Sequence, residues 1–293
     1  MVTILDGGMG DELHRRGITG RTALWSAQAL IDDPEGVVQT HLDYISAGAR
    51  MIITNSYSTV PSYLRSANLG SAYGEMTAFA GQLARRAADE SGEEVSVAGS
   101  LPPLSESYRP DLVPPDDGAR PIYAGMARAL EPYVDLFICE TMSSAREGRN
   151  AAVEAERVAV DRRLPVYVSW TLNENPVGEL RSGETIAEAF GHVADLDIDG
   201  YLFNCTYPEA IEKGLQILNS MTDKPIGGYP NRYHVPENWT LGEKVSERSE
   251  PLSTRLFVEG AMRAFEAGAT IYGGCCSVGP DDIAALAEAV GDG

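Results

Sequence analysis

Three of the chain's four cysteines fall where apolar runs end. Cys205 closes Leu202-Phe203-Asn204-Cys205, and Cys275 and Cys276 follow Gly273-Gly274 at the end of another run. Thiolates are soft ligands, and three of them with one vacant position suit zinc. A structural zinc site usually has four protein ligands, often with CxxC spacing, and no CxxC pair occurs here. A set of three is the catalytic pattern, the fourth position being left for water or substrate. Neighbours on a regular strand face opposite ways, so Gly273 and Gly274 are expected to bend the backbone until both adjacent cysteines turn inward. The fourth cysteine, Cys139, sits inside an apolar run and reads as a packed core residue.

Such a cluster needs elements that bring distant positions together. Eight short runs rich in Ile, Val, Phe, Tyr and Leu recur along the chain: Thr3–Asp6, Arg50–Asn55, Val95–Ser100, Leu136–Glu140, Pro165–Trp170, Gly200–Cys205, Lys224–Tyr229 and Ala269–Gly274. Each reads as a buried strand. Stretches with helical spacing, rich in Ala, Glu and Arg, separate them. The clearest runs from Pro34 to Gly48, opened by Asp33 as N-cap and Pro34 in the first turn. Eight strands alternating with helices predict parallel pairing, and the closed solution is an α/β fold, the (β/α)8 TIM barrel. A doubly wound open sheet is the alternative, but no GxGxxG follows the first strand. With no Pro-, Gly- or Ser-rich linker, residues 1–293 are expected to form a single domain. Two connections are long, 102–118 with five prolines and 231–251 with Trp239, and loops after strands lie on the active-site face of such a barrel.

The chain's 293 residues carry 23 basic and 43 acidic side chains, a net charge of −20. Phosphate backbones and anionic lipids would repel it, so neither nucleic acid nor membrane is an expected partner. The acidity itself reads as solubility or adaptation to salt. No apolar run is long enough to cross a bilayer, and the N-terminus lacks the pattern of a signal peptide. A cytoplasmic location, where thiols stay reduced, is therefore expected. A lyase or aldolase using a Schiff base would want a lysine at a strand's C-terminal end, and Lys224 starts its strand.

Read in order, a set of short motifs is shared with a known family. They are Leu5-Asp6-Gly7-Gly8-Met9-Gly10, Leu24-Trp25-Ser26, His41-Leu42-Asp43-Tyr44, Thr54-Asn55-Ser56-Tyr57, Glu140-Thr141, Asn204-Cys205, Tyr229-Pro230-Asn231 and Gly273-Gly274-Cys275-Cys276. The chain resembles the homocysteine S-methyltransferases nearly end to end. The resemblance implies a zinc-bearing barrel whose metal is held by Cys205, Cys275 and Cys276. It implies homocysteine as methyl acceptor and S-methylmethionine or S-adenosylmethionine as sulfonium donor. A betaine-type donor, or selenocysteine or another thiol as acceptor, are the alternatives within the class. A non-catalytic zinc-binding or redox-sensing barrel is the alternative outside it. Two segments depart from the family pattern, Ser277-Val278 after the double cysteine and Arg232-Tyr233-His234 after Asn231. By analogy with barrel enzymes of this kind, a homo-oligomer is expected.

The remaining assignments concern small-molecule substrates. The resemblance implies that Asp6 and Glu140, at strand ends, hold the substrate ammonium. The Gly7-Gly8 turn offers backbone N–H groups to the carboxylate, and Ser56 contacts the amino acid. Asn204 orients a ligand or occupies the vacant zinc position. Trp25 and Tyr57 face the methylated cation through cation–π attraction. Trp239 is a candidate cover and His234 a donor-site candidate, while His14, His41 and His192 receive no ligand role.

Overall fold

The structure, a computed structural model, describes residues 2–20, 24–235 and 252–291. Trp239 lies outside the described residues. Eight strands form one parallel sheet: β1 (Thr3–Ile4), β2 (Met51–Ile53), β3 (Ser96–Leu101), β4 (Leu136–Met142), β5 (Val166–Trp170), β6 (Gly200–Asn204), β7 (Ile226–Tyr229) and β8 (Ile271–Tyr272). The order runs β1-β8-β7-β6-β5-β4-β3-β2. A parallel bridge between Leu5 and Met51 closes the ring, with Asp6 N donating to Met51 O at 3.0 Å and Arg50 N to Ile4 O at 2.8 Å. All eight predicted runs become strands, most of them trimmed by one or two residues at an end, while β4 runs two residues further to Met142. The closed barrel holds over the open alternative.

Helices fill the outer layer: α1 (Met9–Arg15), α2 (Ala27–Asp32), α3 (Pro34–Ser46), α4 (Pro61–Leu64), α5 (Tyr73–Ser91), α6 (Asp116–Leu130), α7 (Ala145–Ala159), α8 (Ile186–Gly191), α9 (Pro208–Leu218), α10 (Thr254–Glu266) and α11 (Pro280–Gly291). The opening of α3 follows its sequence signal. The Asp33 side chain accepts from Gly36 N at 3.0 Å, Pro34 fills the first turn, and Gly48 leaves the helix at φ +108°. None of the described helices is long and apolar enough to cross a membrane.

Two apolar layers hold the barrel. Leu5, Met51, Ala98, Ile138, Leu202 and Ile271 pack inside the ring. A larger cluster lies between strands and helices, and Cys139 belongs to it, fully buried. β4 and β5 shift register between Cys139 and Met142, and Glu140 and Thr141 sit at that irregularity. Bulges of this kind re-aim side chains next to active sites.

Candidate metal and substrate site

Cys205 follows β6, and Cys275 and Cys276 follow β8, with β7 between those two strands. Their Sγ atoms all lie within 4.8 Å of one another, with Cys205 to Cys275 at 2.7 Å and Cys275 to Cys276 at 4.0 Å. All are free thiols. A tetrahedral zinc with bonds of about 2.3 Å holds its sulfurs about 3.8 Å apart, inside this spread. Three soft donors and no fourth His, Cys or carboxylate among the described residues fit an open zinc site. Contact with Cys205 and Cys276, together with burial, pushes the Cys275 thiol well above its ordinary range. A cation is what would let all three ionise together.

The two glycines before the double cysteine are required for space. Neither adopts a left-handed φ. A Cβ on Gly273 would stand 2.4 Å from Leu5 Cβ, and one on Gly274 2.1 Å from Val278. The expected bend through glycine is therefore corrected: close packing of the β8 end on β1 and on its own loop excludes side chains there. The turn itself is taken by Ser277 at φ +63°, whose N–H and hydroxyl both donate to Asp11 Oδ2. The Val278 carbonyl accepts from Gly8 N at 2.9 Å and from the Tyr44 hydroxyl at 3.0 Å. Ser277 and Val278, which depart from the family pattern, thus hold the cysteine loop in place. Gly8's N–H is engaged with this scaffold instead of pointing to a ligand. A Cβ on Gly8 would meet the Cys275 carbonyl at 2.5 Å, and one on Gly7 the Val278 carbonyl at 2.3 Å.

Asp6 and Glu140 lie at the same mouth. Asp6 Oδ2 accepts from Ile53 N at 2.9 Å, while its Oδ1 is buried without a partner. Burial pushes the Asp6 carboxyl well above the usual range, and Glu140 nearby adds to this. Glu140 accepts hydrogen bonds from the Ser100 hydroxyl and, at 3.3 Å, from the Tyr229 hydroxyl. Burial raises it to about 7. Two buried carboxyls with an orphaned oxygen and, among the described residues, no ion-pair partner are costly, and a ligand ammonium would relieve both.

Asn204 and Ser56 belong to the scaffold. Asn204 Oδ1 accepts from Thr141 N at 2.8 Å and from the Ser169 hydroxyl at 2.7 Å, and its Nδ2 donates to Thr141 Oγ1 at 2.7 Å. This clamp holds Thr141 at φ +59°, a strained angle for a β-branched residue. Ser56 Oγ donates to Ser100 O at 3.0 Å and pairs with Thr54 Oγ1. Both side chains are fully buried and their hydrogen bonds are made within the barrel. Asn231, quoted only as part of a motif, touches the cysteine cluster directly. Its Oδ1 accepts from Cys276 N at 3.1 Å and its buried Nδ2 lacks a partner.

Trp25 and Tyr57 meet edge to face, ring centres 5.9 Å apart, with Trp25 at φ +44°. The Tyr57 hydroxyl pairs with Ser107 at 2.6 Å, and Cys205 lies close enough to help burial raise the phenol. Sequence reading missed Tyr108 and Tyr233, which pack with Val235 around the cysteines. Tyr108 comes from the proline-rich loop after β3, which was expected to be functional but not at this residue. Also missed was the 171–185 loop after β5, folded by the bridges Leu172–Leu180 and Glu179–Thr185. It carries Arg181 and Glu174. His234 pairs with Glu174 at 2.9 Å and stacks on Tyr207. Trp25, Tyr108, Thr141, Cys205 and Ser277 all hold left-handed φ at this one mouth. Strain of this kind collects at functional sites.

A parallel eight-stranded barrel with three convergent thiols and two buried carboxyls at its mouth defines a (β/α)8 barrel with a site that could hold a metal ion. The homocysteine S-methyltransferase family model matches residues 3–290, and the chain belongs to that family. Homocysteine S-methyltransferase of Escherichia coli (strain K12) is 29% identical, over 97% of this chain and 94% of its own length. Selenocysteine methyltransferase of Astragalus bisulcatus is 26% identical, over 99% and 93%. The crystal structure of the Escherichia coli homocysteine methyltransferase MmuM in its metallated form superposes with a TM-score of 0.82 at 27% identity, covering 98% of this chain and 96% of that one.

Proposed function

We propose that this chain is a zinc-dependent methyltransferase that moves a methyl group from a sulfonium donor, S-methylmethionine or S-adenosylmethionine, to homocysteine, forming methionine. The observation that carries the reading is the convergence of Cys205, Cys275 and Cys276 at the barrel mouth. Zinc, when bound, supplies a positive charge that lets a substrate thiol ionise at neutral pH, where a free thiol with pKa near 8.5 stays mostly protonated. Asp6 and Glu140 receive the substrate ammonium, and Trp25 with Tyr57 borders the donor cation. The substrate sulfur attacks the methyl carbon in line. One C–S bond forms, the sulfonium C–S bond breaks, and a neutral thioether departs. The thiol proton goes to solvent, and no strong general acid is needed. What the protein contributes is positioning and an ionised nucleophile.

The test is zinc per chain, by elemental analysis, after reducing purification with zinc supplied and the excess removed. The wild type should carry about one ion and Cys275→Ala little, as three-ligand chemistry requires. Methionine formation should follow the metal. Unchanged methyl transfer after complete zinc removal would sink the reading. A folded, reduced wild type without zinc would do the same and favour a non-catalytic barrel.

The likeness to a selenocysteine methyltransferase supports a second acceptor. A soft metal accepts a selenolate as readily as a thiolate. Comparing kcat/KM for selenocysteine and homocysteine separates the two, and trials with betaine against the sulfoniums identify the donor.

A further inference from the structure

The chain between Glu140 and α7 is tied down residue by residue. Asn204 of β6 holds Thr141 at both its N–H and its hydroxyl. Met142 O accepts from Thr171 N at 3.0 Å, and Ser143 O from Ser182 N at 3.1 Å, both reaching across from the loop after β5. The other side of Ser143 is held by Glu147. The Ser143 N–H and hydroxyl both donate to Glu147 Oε2, each at 2.7 Å.

Glu147 is the third residue of α7, where a carboxylate normally closes a capping box on the N–H of the N-cap residue. The start of α8 shows that arrangement. There Glu188 Oε2 accepts from Thr185 N at 2.8 Å and Glu188 N donates to Thr185 Oγ1, all on an exposed surface. At α7 the N-cap is Ser144, whose hydroxyl accepts from Glu147 N at 3.2 Å. The Glu147 carboxylate, however, passes over Ser144 and takes Ser143. It is also buried, 3% exposed, and burial raises it to about 7 against the two bonds from Ser143. Burying a carboxyl is costly, and capping a helix does not require it, as Glu188 shows. The burial belongs to the reach toward the end of β4. The helix start is a firm anchor for that reach: α7 lies so close on β5 that a Cβ on Gly148 would stand 2.8 Å from Trp170 Nε1.

We infer that Glu147 is a positioning residue for substrate binding: through Ser143 it holds the strained Glu140–Thr141 irregularity and so aims the Glu140 carboxylate at the substrate ammonium. This rests on the reading of Glu140 given above. Thr141 keeps φ +59° only while its surroundings over-determine it. Without Glu147, the Ser143 N–H loses its acceptor inside the protein, and the segment relaxes to satisfy it. Glu140, three residues upstream, then loses its aim.

The experiment measures the Kd of homocysteine for zinc-loaded protein by titration calorimetry, at a pH above the range in which both carboxyls ionise. Zinc per chain and Tm are measured on the same preparations. Glu147→Ala should raise Kd roughly tenfold, about the cost of one misaimed charge-assisted hydrogen bond, with zinc content unchanged. Glu147→Gln keeps an oxygen that accepts from Ser143 and should stay near wild type. Glu147→Asp withdraws the carboxylate by one carbon and should weaken binding as alanine does, which reads the effect even where the alanine variant folds poorly. Asp33→Ala removes the cap of α3 and should lower Tm without changing Kd, separating positioning from general loss of stability. Glu140→Gln should itself weaken binding, and adding Glu147→Ala to it should weaken binding no further, because Glu147 acts through Glu140. An unchanged Kd in Glu147→Ala and Glu147→Asp overturns the inference. So do a glutamine variant as weak as alanine, multiplied effects in the double variant, and zinc loss in Glu147→Ala. A wild type that binds no homocysteine, or a wild-type Kd in Glu140→Gln, overturns the underlying reading along with this one.

Discussion

The ammonium-binding role proposed for Glu140 makes its burial testable. Its carboxyl stands near 7 because it is desolvated, while Ser100 and Tyr229 restrain the rise. Below that value it is largely neutral and holds an ammonium poorly. KM for homocysteine should therefore fall as the pH is raised from about 6 to about 8, the range in which the carboxylate forms. Glu140→Gln should raise KM by about 10- to 100-fold, remove that inflection and leave zinc content unchanged. Steady-state kinetics across the pH range checks both; an inflection that survives in the variant would assign it to another group. At this scale the sequence was most legible where a residue type is rare. Adjacent cysteines at one strand end, with a third at another, have few structural uses. Asn204 was ambiguous, because an amide at a strand end can face a ligand or clamp a neighbour, and here it clamps Thr141. Tyr108 and Arg181 gave no signal, since their pairing joins two loops far apart in sequence.

The elements that carry these residues were easier to read. Buried parallel strands are short continuous apolar runs, so all eight were visible. Their ends were not, because polar residues at the mouth continue the extended chain after strand pairing has stopped. Thr3–Ile4 is the case in point, with Asp6 beyond it joined to β2 by the backbone contact that closes the barrel and by its own side chain. The turn between β1 and α1 is equally demanding. Gly8→Ala puts a methyl 2.5 Å from the Cys275 carbonyl, which is backbone and cannot swing aside. The variant should lose about 1–3 kcal/mol of stability, the usual cost of overpacking, and bind zinc less completely. Denaturant unfolding with elemental analysis reads both effects. Full zinc with only a stability loss would show that the cysteine loop absorbs the push. The loop after β5 escaped notice because its mix of Glu, Asn and Gly resembles any connection, and its two short bridges leave no alternating apolar pattern.

The whole molecule carries a net charge of −20, its 43 acidic side chains outnumbering its 23 basic ones, with exposed ion pairs such as Arg86 with Glu35 and Arg149 with Asp195 offsetting only part of the excess. Self-repulsion of this size opposes compactness and is screened by salt. Tm should rise by a few degrees, of order 1 kcal/mol, between about 0.05 and 1 M KCl. A fall would mean that the surface pairs outweigh the repulsion. The distribution of the metal ligands adds a constraint of another kind. Cys205 directly follows the sixth strand, while Cys275 and Cys276 lie just beyond the last, which is also the strand that pairs with the first. During synthesis a chain that has not yet produced its eighth strand owns a single ligand and an open sheet. On the zinc reading proposed above, metal capture is thus deferred to the finished barrel, and an ion held there would tie the end of the last strand to that of the sixth. Loading marks completed molecules, and a chain arrested earlier has nothing with which to compete for zinc.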